Sequence, residues 1–356
     1  MTRMPPTWVR RILLGPLVIV AALTMLVLTP LWLLVALALT SLVPGRFRLP
    51  RVLWLVTVYL LWDAMLVIAM FALWIASGFG FAIRRPGFVT AHYRLAAWGL
   101  RGLFWIFAGV LRLTITTTGS DDEDAGGRAA FDMLFAPGTP LIVASRHGGP
   151  GDSFILIHTL LNEVARRPRI VLKYTLQWDP AIDVLLHRVP AQFIVPSGFG
   201  RTPRGGGVRV EEALARLATG LGPDDAFVIF PEGGNVSPTR RTSRIKRLRD
   251  AGREQMAERA EAMRHVMAPQ PGGMHAALSA APDADVVFIA HTGLDRLVTL
   301  RDIWRELPMD KGIAMRAWRV PRGEVPDDLD AQAAWLFDWF ARIDAWIDAH
   351  PDAPLR

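Results

Sequence analysis

The chain is expected to fold as an α/β domain, a mostly parallel sheet with flanking helices, preceded by an N-terminal hydrophobic membrane-anchoring helical region. Three observations lead there. Two apolar runs open the chain, from Ile12 to Val43 with no charge and from Val52 to Ile83 with one. From Arg112 onward, short β-branched or apolar runs alternate with amphipathic stretches. Two clusters that combine glycine with an ionisable residue, SRHGGPGDSF (residues 145–154) and VIFPEGGN (residues 228–235), follow or close such runs. Strand and helix in alternation favour a parallel sheet, because a crossover helix returns each strand in the direction of the last.

The first run contains only Thr24, Thr29, Thr40 and Ser41 as polar groups, and about 18 consecutive apolar residues already read as a membrane segment. A secretory leader has an apolar core of only about 7–15 residues, so this run is expected to be an anchor that stays. In the second run the single charge is Asp63. A carboxylate at membrane depth is costly, so Asp63 is expected either to have a function or to lie near headgroups or a partner helix. As a straight helix each run would be about 48 Å long against a hydrocarbon core of about 30 Å. Pro30 is therefore expected to split the first run, and Gly78 and Gly80 to end the second near Ser77. Arginines flank both runs at 10, 11, 46, 48, 51, 84 and 85. Two full spans would put the middle cluster opposite the others, against the positive-inside tendency. Tilted spans and re-entrant hairpins both remain open, with partial insertion and a cytoplasmic catalytic domain preferred.

The stretch from Tyr93 to Leu113 mixes Trp98, Phe104, Trp105 and Phe107 with Arg94, Arg101 and Arg112. That composition suits either a helix lying at the membrane interface or one packed on the domain that follows. Strands are expected at RLTITTTG from Arg112, LIVAS from Leu141, RIVLK from Arg169, QFIV from Gln192, FVIF from Phe227, VVFIAH from Val286 and IAMRAW from Ile313. Helices are expected over residues 153–166, 208–221, 243–267, 274–280 and 328–349. The resulting division is membrane-anchoring helices over 1–90, an α/β domain over 91–325 and a C-terminal amphipathic helix over 326–356 packed on that domain. No internal repeat is present.

Composition narrows the chemistry. Cysteine is absent, which excludes disulfides, thiolate nucleophiles and cysteine metal sites. A formal charge of +7, beside membrane segments, fits anionic headgroups better than nucleic acid. The basic run from Ser237, SPTRRTSRIKRLRDAGRE, reads as a solvated helix face or a grip on headgroups. It lacks the aromatics on which a single-strand binder stacks bases. His158 and His187 could join His147 and Asp152 around a metal, but no ligand spacing supports that, and no metal is expected.

His147 and Asp152 are separated by three glycines and Pro150, so the chain can turn sharply and bring imidazole and carboxylate together. A carboxylate on one ring nitrogen fixes the tautomer and leaves the other nitrogen free to take a proton from a hydroxyl. Such a pair is two-thirds of a hydrolase triad, with a substrate alcohol in place of serine. Asp152 would equally serve as the cap of a helix opening at Ser153, and His147 as an ordinary loop histidine. In the second cluster Glu232 sits just past the carboxyl end of a strand, where open α/β sheets place their ligands.

The ordered pair, His with Asp five residues on and then Phe-Pro-Glu-Gly, resembles the glycerolipid acyltransferase family typified by 1-acylglycerol-3-phosphate acyltransferase. VLKYTLQWDP (residues 171–180) is similar to that family's Lys-x-x-Leu block, and HVMAPQPGG (residues 265–273) to a motif of its lysophospholipid branch. The resemblance implies acyl transfer from a thioester, on coenzyme A or acyl carrier protein, to a glycerolipid hydroxyl, with no cofactor beyond that co-substrate. It implies His147 as base, Asp152 as its partner, and Phe230, Pro231, Glu232 and Gly233 shaping the acceptor site. Departures stand beside it: Arg146 replaces the usual Asn, Gly234 and Asn235 replace Thr-Arg, and Pro196 stands where an Arg is usual. Either the charge that would hold a phosphate comes from Arg146, Lys173, Arg201 or Arg204, with Lys173 and Arg201 favoured, or the acceptor lacks a terminal phosphate altogether. Membrane lipids, an acyl thioester donor and a lysolipid acceptor are the expected partners. A CoA-independent lipid transacylase and a catalytically silent lipid-binding membrane protein are the alternatives.

Overall fold

The computed structural model of the chain describes residues 4–43, 45, 47–119, 127–149, 151–194, 210–293 and 300–351. They form two compact units. One comprises Met1–Leu113, Leu172–Gly200 and Ile303–Asp310, and the other Thr114–Val171, Arg201–Asp302 and Lys311–Arg356.

In the first unit, a short turn α1 (Thr7–Val9) passes through a π-helical turn into α2 (Gly15–Leu39), followed by α3 (Arg48–Ala76) and α4 (Pro86–Leu111). These segments give three helices long and apolar enough to cross a membrane: Thr7–Leu42, Arg48–Ala76 and Pro86–Leu111. The last includes the stretch assigned from sequence to an interfacial or packed helix. Pro30 does not split the first run but lies inside α2. Pro30 lacks an N–H, so the Leu26 carbonyl one turn back loses its helical donor, a loss that membrane-type helices tolerate; beside it Thr29 Oγ1 donates to the Met25 carbonyl at 2.6 Å. Gly15, Ala22, Thr29 and Ala36 form the buried stripe of α2. Small residues on one seam let helix backbones approach closely, and Thr29 meets Thr57 of α3 hydroxyl to hydroxyl at 3.3 Å. The second run ends as expected, with Ser77 as the C-cap of α3.

Asp63 is buried, at 2% exposure, and its partner is a short helix. Its Oδ1 accepts the Ala181 N–H at 2.7 Å, in the first turn of α7 (Pro180–Leu186). Asp179, the N-cap, accepts from Ile182 N at 2.8 Å, and Tyr59 Oη meets its other oxygen. Arg10 donates to Gln177 Oε1 at 2.8 Å and to Asp183 Oδ1 at 3.0 Å. Arg10, Tyr59 and Asp63 are thus spent on docking α7 and the turn before it. Arg48 likewise donates to the carbonyls of Leu307 and Arg305 at 2.8 and 2.6 Å, while Leu307 packs with Leu55 and Leu111.

The remaining elements are β1 (Leu113–Thr118), α5 (Arg128–Leu134), β2 (Leu141–Ser145), α6 (Asp152–His158), β3 (Arg167–Lys173), β4 (Ala191–Ile194), α8 (Val210–Ala218), β5 (Asp225–Ile229), α9 (Pro238–Asp250), α10 (Glu254–Ala262), α11 (Pro271–Ala280), β6 (Asp285–His291), α12 (Leu300–Glu306), β7 (Lys311–Val320) and α13 (Leu329–Ala349). The strands form a seven-stranded sheet in the order β1-β7-β6-β2-β5-β3-β4. β6, β2, β5 and β3 pair in parallel, and β7 runs antiparallel to β6. The fold is therefore the mostly parallel α/β sheet with flanking helices expected from the sequence. Every residue of β2 is buried, the mark of a central strand covered on both faces.

Two helical stretches differ from expectation. Residues 243–267 are not one helix: α9 and α10 are separated at Ala251–Arg253, where Gly252 adopts φ +71°. The stretch after Ser153 leaves α6 through a π-helical turn, Thr159–Glu163, and ends there with Val164 as its C-cap; the buried guanidinium of Arg166 beyond it donates to the carbonyls of Phe135, Thr139 and Pro223. The last helix, α13, buries Ala333, Leu336, Phe337, Phe340, Ile343 and Ile347, a 3–4 spacing, against a core that includes Phe288, Val286 and Trp318.

Candidate active site

The site is built by strand register. β2 and β5 run side by side with Leu141 opposite Ala226 and Ala144 opposite Ile229. Three residues beyond that last pair stand His147 and Glu232. On the other side of β2, Ser145 lies opposite Ile289, and two residues further on stand His147 and His291. His291, His147 and Glu232 thus form one row at the carboxyl edge of three adjacent parallel strands, the place where open α/β sheets bind ligands.

His147 is held at three points. Its backbone N–H donates to Glu232 Oε2 at 2.5 Å, and its carbonyl accepts from Val236 N at 3.4 Å. Its ring Nδ1 lies 2.7 Å from Asp152 Oδ2. The ring also rests on Phe230, centroid to centroid at 4.7 Å. With Nδ1–H donating to the carboxylate, the ring is held in the tautomer whose Nε2 carries the lone pair that a base needs. The His147 side chain is 16% exposed, so the ring is supported and still reaches the surface.

Asp152 is the first residue of α6, with Gly151 as the N-cap. Its two oxygens divide the work. Oδ1 accepts the Ser153 N–H at 2.5 Å and the Ser153 hydroxyl at 3.1 Å, while Oδ2 accepts from His147 and, at 3.4 Å, from Gly149 N. Helix-start and imidazole-holding roles coexist in one side chain. Burial pushes the Asp152 carboxyl up, but the hydrogen bond and charge of His147, with His291 and the Gly149 N–H, outweigh it and hold the group below the ordinary carboxylate range.

Glu232 is wholly buried. Its second oxygen, Oε1, accepts the Met267 N–H at 2.7 Å, so both oxygens engage backbone and the carboxylate ties His147 to the HVMAPQPGG segment. Burial pushes its carboxyl up to about 7, opposed by the Met267 N–H, the Arg146 charge and the His147 N–H. The Glu232 carbonyl accepts from Arg244 Nη2 at 2.6 Å, and burial brings that guanidinium down to about 10. Pro231 contributes its carbonyl to Gln270 N at 2.8 Å. Gly233 closes the turn with φ +66°, a left-handed conformation that favours glycine.

The expected residues are not all brought together. His147, Asp152, Phe230, Pro231, Glu232 and Gly233 converge. Arg146 joins them from inside: it is 1% exposed and donates from Nη1 to the His291 carbonyl at 2.8 Å, so its charge serves the scaffold around Glu232 and is turned away from solvent. Lys173, exposed at the end of β3, belongs to the other unit. Arg201 and Arg204 lie outside the described residues. Sequence reasoning missed His291, Arg244, Gln270 and the Met267 N–H. The last two sit in the HVMAPQPGG motif, which was a usable signal, whereas His291 needed the strand register. Among the described residues, no group of three or more His, Cys, Asp or Glu side chains is disposed to hold a metal ion.

Residues 130–293 match the protein-family model Acyltransferase. The acyltransferase-like segment contains His147, Asp152, the Phe-Pro-Glu-Gly turn and β2 through β6, so the motifs and the geometry fall in one matched region. The match supports acyl transfer as the class of reaction. No curated protein and no solved structure matched the chain.

Proposed function

We propose that the protein is a membrane-bound O-acyltransferase that moves a fatty acyl group from a thioester, on coenzyme A or acyl carrier protein, to a hydroxyl of a lysophospholipid or related glycerolipid. One observation carries the reading: within the acyltransferase-like segment, a partly exposed imidazole is locked by a buried carboxylate at 2.7 Å. His147 Nε2 takes the proton of the acceptor hydroxyl as that oxygen attacks the thioester carbonyl carbon. The tetrahedral intermediate then expels the sulfur, which leaves with the proton returned from Nε2. The products are an ester and a free thiol, with His147 regenerated. Asp152 holds the tautomer and stabilises the imidazolium. Phe230 and the Pro231–Gly233 turn border the acceptor, with Glu232 acting through the backbone it holds. Lys173 and Arg201 are the proposed phosphate contacts, and the catalytic domain is assigned to the cytoplasmic side.

The test is to incubate the purified protein with labelled acyl-CoA and a panel of lysolipids with and without phosphate, identifying products by mass. A parallel arm supplies a phospholipid donor without acyl-CoA and detects a transacylase. General base catalysis is worth about 10²–10⁴-fold, so His147→Ala is expected to lose that much turnover while its melting temperature stays put. Full activity in that variant would sink the mechanism.

A further inference from the structure

His291 stands one strand over from His147 in the same row, at the end of β6. It is buried, at 5% exposure. Its Nε2 lies 3.9 Å from Asp152 Oδ2, the same oxygen that receives His147 Nδ1. The same Nε2 is 3.4 Å from the Arg146 carbonyl, and the His291 carbonyl is pinned by the Arg146 guanidinium at 2.8 Å. The residues that line the small pocket here are Asp152, Ile155 and Leu156 of α6, His291 itself, and Ile313 and Met315 of β7. The charged groups around the ring are therefore Asp152 from α6, Arg146 from the end of β2 and, beyond Asp152, His147, with apolar side chains from α6 and β7. Two imidazoles share one carboxylate oxygen, the outer one reaching the surface and the inner one closed off from it.

We propose that His291 is a positioning residue for the acyl-transfer step, backing the Asp152 carboxylate so that Oδ2 stays aligned on His147 Nδ1 and the two histidines compete for the same negative charge. This rests on the reading of His147 as the base. His291 Nε2 lies 3.4 Å from the Arg146 carbonyl and 3.9 Å from Asp152 Oδ2, so the buried ring stands against the carboxylate without bonding to it and limits the room in which it can turn. When His291 takes a proton, its charge near Asp152 draws on the field that otherwise favours the His147 imidazolium, and the basicity of His147 falls. Like charges disfavour one another across such a distance when buried. Removing the inner imidazole therefore has two consequences. The carboxylate is less well aligned, and His147 becomes the stronger base.

The experiment is a pH profile of kcat and KM for the full-length protein in detergent micelles, comparing wild type with His291→Leu and His291→Gln. Leu removes both donor and charge, and Gln keeps a donor without the charge. In His291→Leu, kcat is expected to fall about tenfold with KM unchanged. In His291→Gln most of kcat is expected to return. In both, the acid limb of the kcat profile moves up by about 0.5 pH unit. Should His291→Leu fail to fold, the His291→Gln profile decides alone. An acid limb that stays at the wild-type position in folded His291→Gln overturns the inference, as does equal loss of kcat in the two variants. His147→Ala is the control: if it stays active, the base reading fails, and if it is inactive while His291→Leu matches wild type, only the role of His291 fails.

Discussion

Asp152 spends one oxygen on the first turn of α6 and the other on His147, which gives single-atom substitutions at this position unusual resolving power. Asparagine keeps an oxygen that can accept from Ser153 at the start of α6, but its amide nitrogen cannot accept a hydrogen bond from Nδ1–H. Asp152→Asn is expected to retain the wild-type melting temperature and lose about 10²-fold or more in kcat. Retention of near-wild-type kcat would reduce Asp152 to a cap. Glu232 allows a stability test. Its folded-state carboxyl is raised from 4.5 to about 7, so its contribution to stability is full below its unfolded value and is lost as pH rises through about 7. The difference in unfolding free energy between wild type and Glu232→Gln should therefore shift against wild type between about pH 4.5 and 7, at no more than about 1.4 kcal/mol per pH unit. A difference that stays flat across that window contradicts the assignment. His147, Asp152 and Glu232 were each singled out by motif and spacing, and the fold brings the three together. The orientation of Glu232, turned onto two backbone N–H groups, was not legible, because nothing in Phe-Pro-Glu-Gly says which way the side chain points.

At the scale of elements, the short helix α7 shows how the apolar runs use their few polar groups. Asp63 Oδ1 accepts from Ala181 N in a buried setting, and such hydrogen bonds contribute about 0.5–1.5 kcal/mol net. Asp63→Leu is expected to accelerate amide hydrogen exchange across residues 174–188, with Asp63→Asn much milder because its carbonyl still accepts. Unchanged exchange in Asp63→Leu would remove Asp63 from the docking of α7. All seven strands were legible as β-branched or apolar runs bounded by glycine, proline or charge. α5, α7 and α12, seven residues each, were not, since a segment of that length completes about two turns and leaves almost no periodicity to read. The continuity of α2 through Pro30 was also hidden. Pro30 reads as a breaker in water, and the helix persists because its neighbours along the seam are small and Thr29 bonds back to the preceding turn.

For the whole molecule, three helices long and apolar enough to cross a membrane precede or join a sheet domain. Val27, Leu34 and Trp105 on these helices are each more than two-thirds exposed, and apolar surface of that extent suits association with a membrane. The protein is expected to remain in the membrane fraction through 1 M salt and alkaline carbonate washes and to be released only by detergent. Release by salt would mean attachment through charge, with the basic face of α9 as the first place to look. By itself the sequence determined the fold class, the long apolar helices and the pairing of His147 with Asp152 across a glycine-rich turn, because periodicity, hydropathy and turn composition are local properties. Only the tertiary structure decided which groups meet across strands: that Glu232 clamps the backbone of His147, that Arg146 faces inward, and that His291 stands behind Asp152. Those contacts join residues 85 and 145 positions apart, and they exist because the register of β6, β2 and β5 sets three strand ends in one row.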